Sequence, residues 1–362
     1  MPYRVAIVGC GRPIRTEGAT GFGQSHLHAR GYAASGKCEL VALADISQAN
    51  AEAFAAEHGD PAHPTAIYSD YQQMLSETKP DIVSICTWPH LHAPMTIACA
   101  EVGVRAVHCE KPMAPTWGEA RRMAAACQEH GTQLTFNHQR RFEAPFRAAK
   151  RLLLSGAIGE LQRLEGQCAN LFDWGTHWFD MFEFYTNETP VRWVLAQIDN
   201  RVEHSVFGVP VETQAVSLFQ YQDGVLGQLL TGPDAPIGCA NRLLGAEGSI
   251  EVQPRLPEGR RAPLRLRGKG DGDWLYPDIT ADRLGGLNEG VSQGILDLID
   301  ALEHDREPEL SAARALRATE LIFASYESSR RRGRVDLPLT VDDSPFLAML
   351  ESGEIGRGEV PS

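Results

Sequence analysis

The first 145 or so residues alternate short, almost wholly apolar runs with longer mixed ones. The runs are Tyr3–Val8, Leu40–Ala44, Ile82–Cys86, Ala106–Cys109 and Gln133–Phe136. Continuous apolar character predicts strands buried on both faces of a parallel sheet. The stretches between them predict covering helices near Ser25–Ala34, Gln48–His58, Tyr71–Ser76, Pro94–Val102 and Thr116–Glu129. Ser47 is placed to cap the second of these, and Thr116 with Glu119 has capping-box spacing. After Arg141 the pattern changes. A helix over Phe146–Ser155 stops at Gly156, and longer alternating segments follow at Leu161–Asn170, Val191–Ile198, Thr213–Tyr221 and Val225–Thr231. Asp223-Gly224 between the last two is a hairpin signal. Helices over Val291–His304 and Ala312–Arg330 come late, and Pro254–Pro277 reads as a loop or edge excursion. The expected organisation is an α/β domain over residues 1–145, an α+β domain with a mostly antiparallel sheet over 146–340, and a partly structured tail over 341–362.

Composition narrows the possibilities. The 362 residues suit about two domains of roughly 150 each. With 34 Lys and Arg against 47 Asp and Glu, the net charge of −13 argues against nucleic acid, which requires a clustered positive surface. A hydrophobic fraction of 43% is ordinary for a globular chain, and no apolar run reaches the ~18 residues of a membrane span. The start lacks a basic region followed by a long apolar stretch, and the eight cysteines form no CxxC pair. A cytoplasmic protein with reduced core thiols is expected.

Gly9 and Gly11 close the first predicted strand. In a dinucleotide fold the first such glycine permits a tight turn and the second lets backbone approach a pyrophosphate, whose charge the next helix N-terminus favours. The usual third glycine is absent, because position 14 is Ile and an insertion of about ten residues precedes the helix. Asp45 ends the second strand. With the insertion set aside it falls the expected 20-odd residues beyond Gly11. An acid there accepts from a ribose 2′-hydroxyl and repels a 2′-phosphate, which favours NAD over NADP. Arg12 and Arg15 in the insertion read as phosphate contacts or as solvent-facing charge.

Two further groupings carry chemistry. Glu110-Lys111-Pro112 follows the fourth of the long apolar runs, at the carboxyl edge where ligands bind in such sheets. Asp173-Trp-Gly-Thr-His177 sets a carboxylate and an imidazole four residues apart, on one face of any helix there. Such a pair suits a proton acceptor, since the carboxylate orients the ring and raises its basicity. Asp180 adds a second acid with a capping or ion-pair reading. The HxH pairs His26/His28 and His90/His92 lack a convincing third ligand, so no metal site is expected.

The ordered set resembles the Gfo/Idh/MocA oxidoreductases, the glucose–fructose oxidoreductase and inositol dehydrogenase family. It comprises Val8-Gly-Cys-Gly11, His28-Ala29, Asp45, Thr87-Trp-Pro-His-Leu-His92, Glu110-Lys-Pro112, Arg140-Arg-Phe142, Gly156-Ala-Ile-Gly159, Asp173 with His177, and Gly333 with Leu337-Pro-Leu339. The resemblance implies an N-terminal Rossmann domain holding NAD, then an α+β domain with a large open sheet that supports a homo-oligomer. It implies a sugar, cyclitol or glycoside substrate, with Lys111 on the reacting hydroxyl, His177 taking its proton and Asp173 completing the set. Around the cofactor it implies Gly9, Gly11, Asp45, Thr87, Trp88, Pro89, His92, Glu110, Lys111 and Gln139. Against the substrate it implies Lys111, Asp173, Trp174, His177 and Arg141. Three departures stand out: the long glycine loop, Trp88 within the family's Thr-Pro-Asn loop, and Cys168–Phe172 in place of a glycine-rich lead-in.

Trp174 and Trp178 flank His177 and read either as a platform for the apolar face of a sugar ring or as core packing. The leading expectation is an NAD-dependent dehydrogenase of a carbohydrate hydroxyl. The same machinery also fits a glycoside hydrolase that oxidises transiently, eliminates, hydrates and re-reduces, and a non-catalytic dinucleotide or sugar sensor fits the fold alone.

Overall fold

In the computed structural model, which describes residues 1–12, 16–17, 23–233, 237–270, 272–285 and 290–356, the chain forms two compact units. Arg15 and most of the glycine-loop insertion lie outside the described residues. The first unit comprises residues 1–115, 119–139 and 285–315; the second holds 116–118, 140–284 and 316–362.

The first unit is built on six parallel strands: β1 (Tyr3–Val8), β2 (Cys38–Ala44), β3 (Ala66–Tyr68), β4 (Ile82–Ile85), β5 (Ala106–Cys109) and β6 (Gln133–Phe136), in the order β3-β2-β1-β4-β5-β6. Their side chains are buried on both faces wherever the runs are continuously apolar, as in the fully buried β4 and β5. Helices α1 (Gln24–Ser35), α2 (Gln48–His58), α3 (Tyr71–Thr78), α4 (Pro89–Glu101) and α5 (Trp117–His130) alternate with the strands. Ser47 and Asp70 cap α2 and α3 by accepting from backbone amides, satisfying groups that a helix start leaves orphaned. Strand order reverses between β1 and β4, so the carboxyl ends of these two strands flank a topological switch point.

In the second unit, α6 (Ala144–Leu154), β7 (Leu161–Cys168), α7 (Thr176–Tyr185), β8 (Val191–Asp199), β9 (His204–Val206), β10 (Val209–Val211), β11 (Gln214–Tyr221), β12 (Leu226–Thr231), β13 (Asn241–Gly245), β14 (Gly248–Val252) and β15 (Leu264–Gly268) follow in order. Helix α8 (Gly290–His304) belongs to the first unit, whereas α9 (Ala312–Arg331) lies mainly in the second with β16 (Val335–Asp336) and α10 (Pro345–Ser352). The large sheet runs β15-β14-β13-β7-β12-β11-β8-β16 and is antiparallel except where β7 meets β12. Phe179 and Phe182 of α7 pack their rings on Phe219 of β11, and Ser325 of α9 bonds Ser217 of the same strand at 2.8 Å. Asp223-Gly224 does turn β11 into β12, with Gly224 at φ +95°.

The region expected to be an irregular excursion contributes the edge strand β15, and the expected loose tail holds α10. Ser344 caps α10, and Phe346 stacks on Tyr326 with centroids 5.3 Å apart, so buried apolar area fixes the segment.

Candidate active site

The two glycines at the end of β1 behave differently. A Cβ on Gly9, at φ +84°, would lie 2.7 Å from the Cys86 carbonyl oxygen, so only glycine fits the turn beneath β4. A Cβ on Gly11, at φ +58°, would meet nothing within 4 Å, which leaves the backbone open to a ligand. Asp45, just past β2, accepts the amides of Cys10 at 2.8 Å and Ser47 at 2.8 Å. Ser25 at the start of α1 donates to the Cys10 carbonyl.

Further along the same carboxyl edge, Thr87, Trp88 and Pro89 lead into α4. Trp88 is exposed and Pro89 is the buried first residue of the helix. His92, one turn on, is fully buried, with Nδ1 2.8 Å from the Pro112 carbonyl and Nε2 3.1 Å from that of Thr87. It therefore ties the loop after β4 to the turn after β5. In that turn Glu110 is buried and accepts from Asn137 Nδ2 at 2.7 Å, with His28 Nε2 3.0 Å away. Burial alone would push the Glu110 carboxyl up, but His28, Asn137 and the neighbouring Lys111 charge hold it below the ordinary carboxylate value. Glu110 is thus an anchored anion, and Lys111 follows it directly, joined to Pro112 by a cis peptide. Gln139, in the short 3₁₀ turn after β6, carries a buried Oε1 without a hydrogen-bond partner among the described residues, and the same holds for Oδ1 of Asn137. Open backbone at Gly11 and two orphaned acceptors near the strand ends fit a group with hydrogen-bond donors of its own, such as a dinucleotide.

In the second unit, Asp173 and His177 do not share a regular α-helix. Leu171–Gly175 forms a π-turn, with the Gly175 amide on the Asn170 carbonyl at 2.9 Å, and α7 starts only at Thr176. The Asn170 side chain accepts the Asp173 amide at 2.7 Å. Single π-turns recur at functional sites because they re-aim side chains within a helix. Both Asp173 and His177 are buried, and the His177 ring lies 6.4 Å from that of Trp174. Of the two tryptophans only Trp174 is exposed, at 40%. Trp178 is core, donating its indole N–H to the Gln167 carbonyl and lying 6.1 Å from Phe146.

Arg141, expected against substrate, is 1% exposed and held inside its own unit. Its Nε bonds both oxygens of Asp180 at 3.0 Å, and its Nη1 bonds Glu188 at 2.7 Å. Arg140 is the more open neighbour. Its guanidinium carbon sits 5.5 Å from the Trp174 ring and 4.9 Å from that of Trp178, and its buried Nη1 has no hydrogen-bond partner among the described residues. Two adjacent arginines are indistinguishable in a sequence; the phase of the turn assigns one to an ion pair and leaves the other beside the exposed indole. Across the described residues no helix is long and apolar enough to cross a membrane.

Comparison with known proteins agrees with this layout. Residues 3–138 match the model of an oxidoreductase family with an NAD-binding Rossmann fold, and residues 167–251 match the GFO/IDH/MocA C-terminal domain. The D-glucoside 3-dehydrogenase of Escherichia coli K12 is 31% identical over 44% of this chain, a match spanning 41% of that relative. The D-apiose dehydrogenase of Paraburkholderia graminis is 25% identical over 98% of this chain and 95% of its own length. In fold, the WlbA dehydrogenase of Bordetella pertussis, solved with NADH and UDP-GlcNAcA, superposes with a TM-score of 0.71 at 22% identity, over 94% of this chain and all of its own. With both of its domain models matched in order, over more than half of its length, the chain belongs to the GFO/IDH/MocA oxidoreductase family.

Proposed function

We propose that the protein is an NAD-dependent dehydrogenase that oxidises a hydroxyl of a sugar, cyclitol or glycoside. The observation that carries this reading is the anchored Glu110-Lys111-Pro112 turn at the carboxyl end of β5, on the sheet edge that also holds Gly9, Gly11 and Asp45. Relatives named for acting on a glucoside and on apiose support the substrate class.

Oxidising an alcohol removes one hydride and one proton. The nicotinamide, when bound, supplies the hydride acceptor, and the protein must handle the proton. Lys111 is assigned to the reacting hydroxyl, which its ammonium polarises by donating a hydrogen bond. His177 is assigned to accept the proton, with Asp173 favouring the imidazolium that results. Trp174 offers an exposed ring for the apolar face of a sugar, and Arg140 offers a donor beside it. Gly11 would admit the pyrophosphate, Asp45 the adenine ribose, and Gln139 with Thr87, Trp88 and Pro89 the nicotinamide side. A carboxylate already accepting loop amides at Asp45 repels a 2′-phosphate, which supports NAD over NADP. The outward face of the large sheet exposes Leu195 and Val216, which supports a homo-oligomer.

The test is to incubate the protein with NAD+ and a panel of free sugars, cyclitols and aryl glycosides, following nicotinamide absorbance and products together. A carbonyl product formed one-for-one with NADH is expected. Release of aglycone and sugar without NADH would replace this reading with redox-neutral hydrolysis.

A further inference from the structure

One group of side chains lies beside the glycine turn, where α1 begins and α2 ends. His26, on the first turn of α1, meets Glu57 and His58 from the last turn of α2. His26 Nδ1 and His58 Nε2 are 2.8 Å apart, Glu57 Oε2 is 3.4 Å from His26 Nδ1, and Glu57 Oε1 is 3.5 Å from His58 Nε2. For a tetrahedral ion with bonds of 2.0–2.1 Å, ligand atoms lie about 3.3–3.4 Å from one another. The two carboxylate contacts fall on different Glu57 oxygens; with one ligand atom per residue the three atoms lie within 4.8 Å of one another, and the imidazole pair needs to open by about half an ångström.

The rings are held from behind. Phe54 lies 4.6 Å from each imidazole centroid, which fixes their planes while leaving the nitrogens convergent. His26 is buried, His58 is partly so and Glu57 is exposed, so the set is closed on the protein side and open on the solvent side. His58 also lines a cavity of about 310 Å³, shared with Tyr32, Cys38, Asp60 and His63. A simple histidine pair would need only one of its nitrogens to donate to the other and would have no use for the carboxylate bracketing both.

We propose that His26, Glu57 and His58 form a site for a divalent transition metal, zinc by the nature of its donors, with a solvent molecule as fourth ligand. The site pins the N-terminus of α1 to the C-terminus of α2 and so steadies the segment that begins at Ser25, whose hydroxyl holds the Cys10 carbonyl. Arg30 disfavours added positive charge here, and Glu57 supplies the compensating anion. The set escapes a reading based on HxH pairs because two of its three ligands come from the far end of another helix. The proposal is independent of the substrate assigned above.

The test uses the full chain stripped with a chelator and titrated with Co2+, then with Zn2+ in competition. One Co2+ per chain is expected, with visible bands of a four-coordinate ion and none of the near-ultraviolet thiolate bands that the cysteines would give. His58→Gln should weaken Zn2+ binding beyond the 10–100-fold that loss of an outer-shell partner causes, and should abolish the rise in Tm that Zn2+ produces. Glu57→Gln, at an exposed position, provides the same test if His58→Gln folds poorly, and Cys38→Ser should bind as the parent does. Absence of stoichiometric binding, thiolate bands, or undiminished affinity in Glu57→Gln and His58→Gln would each overturn the proposal.

Discussion

The carboxylate of Asp45 lies 3.2 Å from the amide nitrogen of Gly11, so the acid that ends β2 holds the turn that ends β1. Replacing it by alanine removes a charge-assisted acceptor worth about 1.5–3 kcal/mol. Asp45→Ala should therefore weaken NADH binding by roughly 10–100-fold. NADPH binding should fall less or rise, because the repulsion of a 2′-phosphate goes too. Fluorescence titration with both nucleotides measures the ratio, and an unchanged ratio would move the specificity element elsewhere.

Lys111→Ala and His177→Gln should each lower kcat by about 10²–10⁴-fold, the usual contribution of a positioned acid or base. The His177 variant should leave NADH affinity within a few-fold of the parent. Steady-state kinetics with the best substrate from the panel, paired with NADH titration, reads both quantities.

The two neighbouring arginines should part company. Arg141→Ala strands Asp180 in the interior and should lower stability by about 3–5 kcal/mol in denaturant titrations. Arg140→Gln breaks no ion pair among the described residues and should shift Tm little while raising the KM for the sugar. Equal loss of stability in both would contradict the division.

Glu110 gives a pH prediction. Its folded-state pKa lies below the ordinary value of 4.5, so its ionised form stabilises the fold above that pH and the contribution is lost as pH falls through the folded value. Glu110→Gln should therefore be less stable than the parent at pH 7, by about 1–3 kcal/mol, with the difference shrinking below pH 4.5. Urea unfolding at pH 7 and at pH 4 makes the comparison, and a gap that widens on acidification would reverse the sign.

Much of the first unit was readable because its strands are buried on both faces, so the apolar runs stand out: β1, β5 and β6 have the expected bounds, and α2 matches residue for residue. β3 was missed because a three-residue edge strand carries little pattern. Helix α4 starts at Pro89, five residues before the expected start, because Pro89 takes the first helical position and Pro94 removes only one amide within the second turn. The irregular π-turn at Asp173 and the separate fates of Arg140 and Arg141 depend on backbone phase, which residue type does not encode. Partners distant in the chain, such as His28 with Glu110, were visible only as isolated residues.

Helix α8 has a consequence for how the molecule is made. Ile295, Leu298 and Ile299 share a core with Val5, Ile7 and Ala29. A Cβ on Gly31 of α1 would fall 2.8 Å from that of Ile295, so α1 is notched to receive the later helix. A nascent chain that has emerged only to residue 145 holds the sheet and the glycine turn but an apolar groove where α8 belongs. The nucleotide-binding half therefore cannot close its core until some 140 residues of the other unit have left the ribosome. A fragment ending at the natural-looking boundary would carry every residue of the dinucleotide loop and still expose a sticky seam along α1.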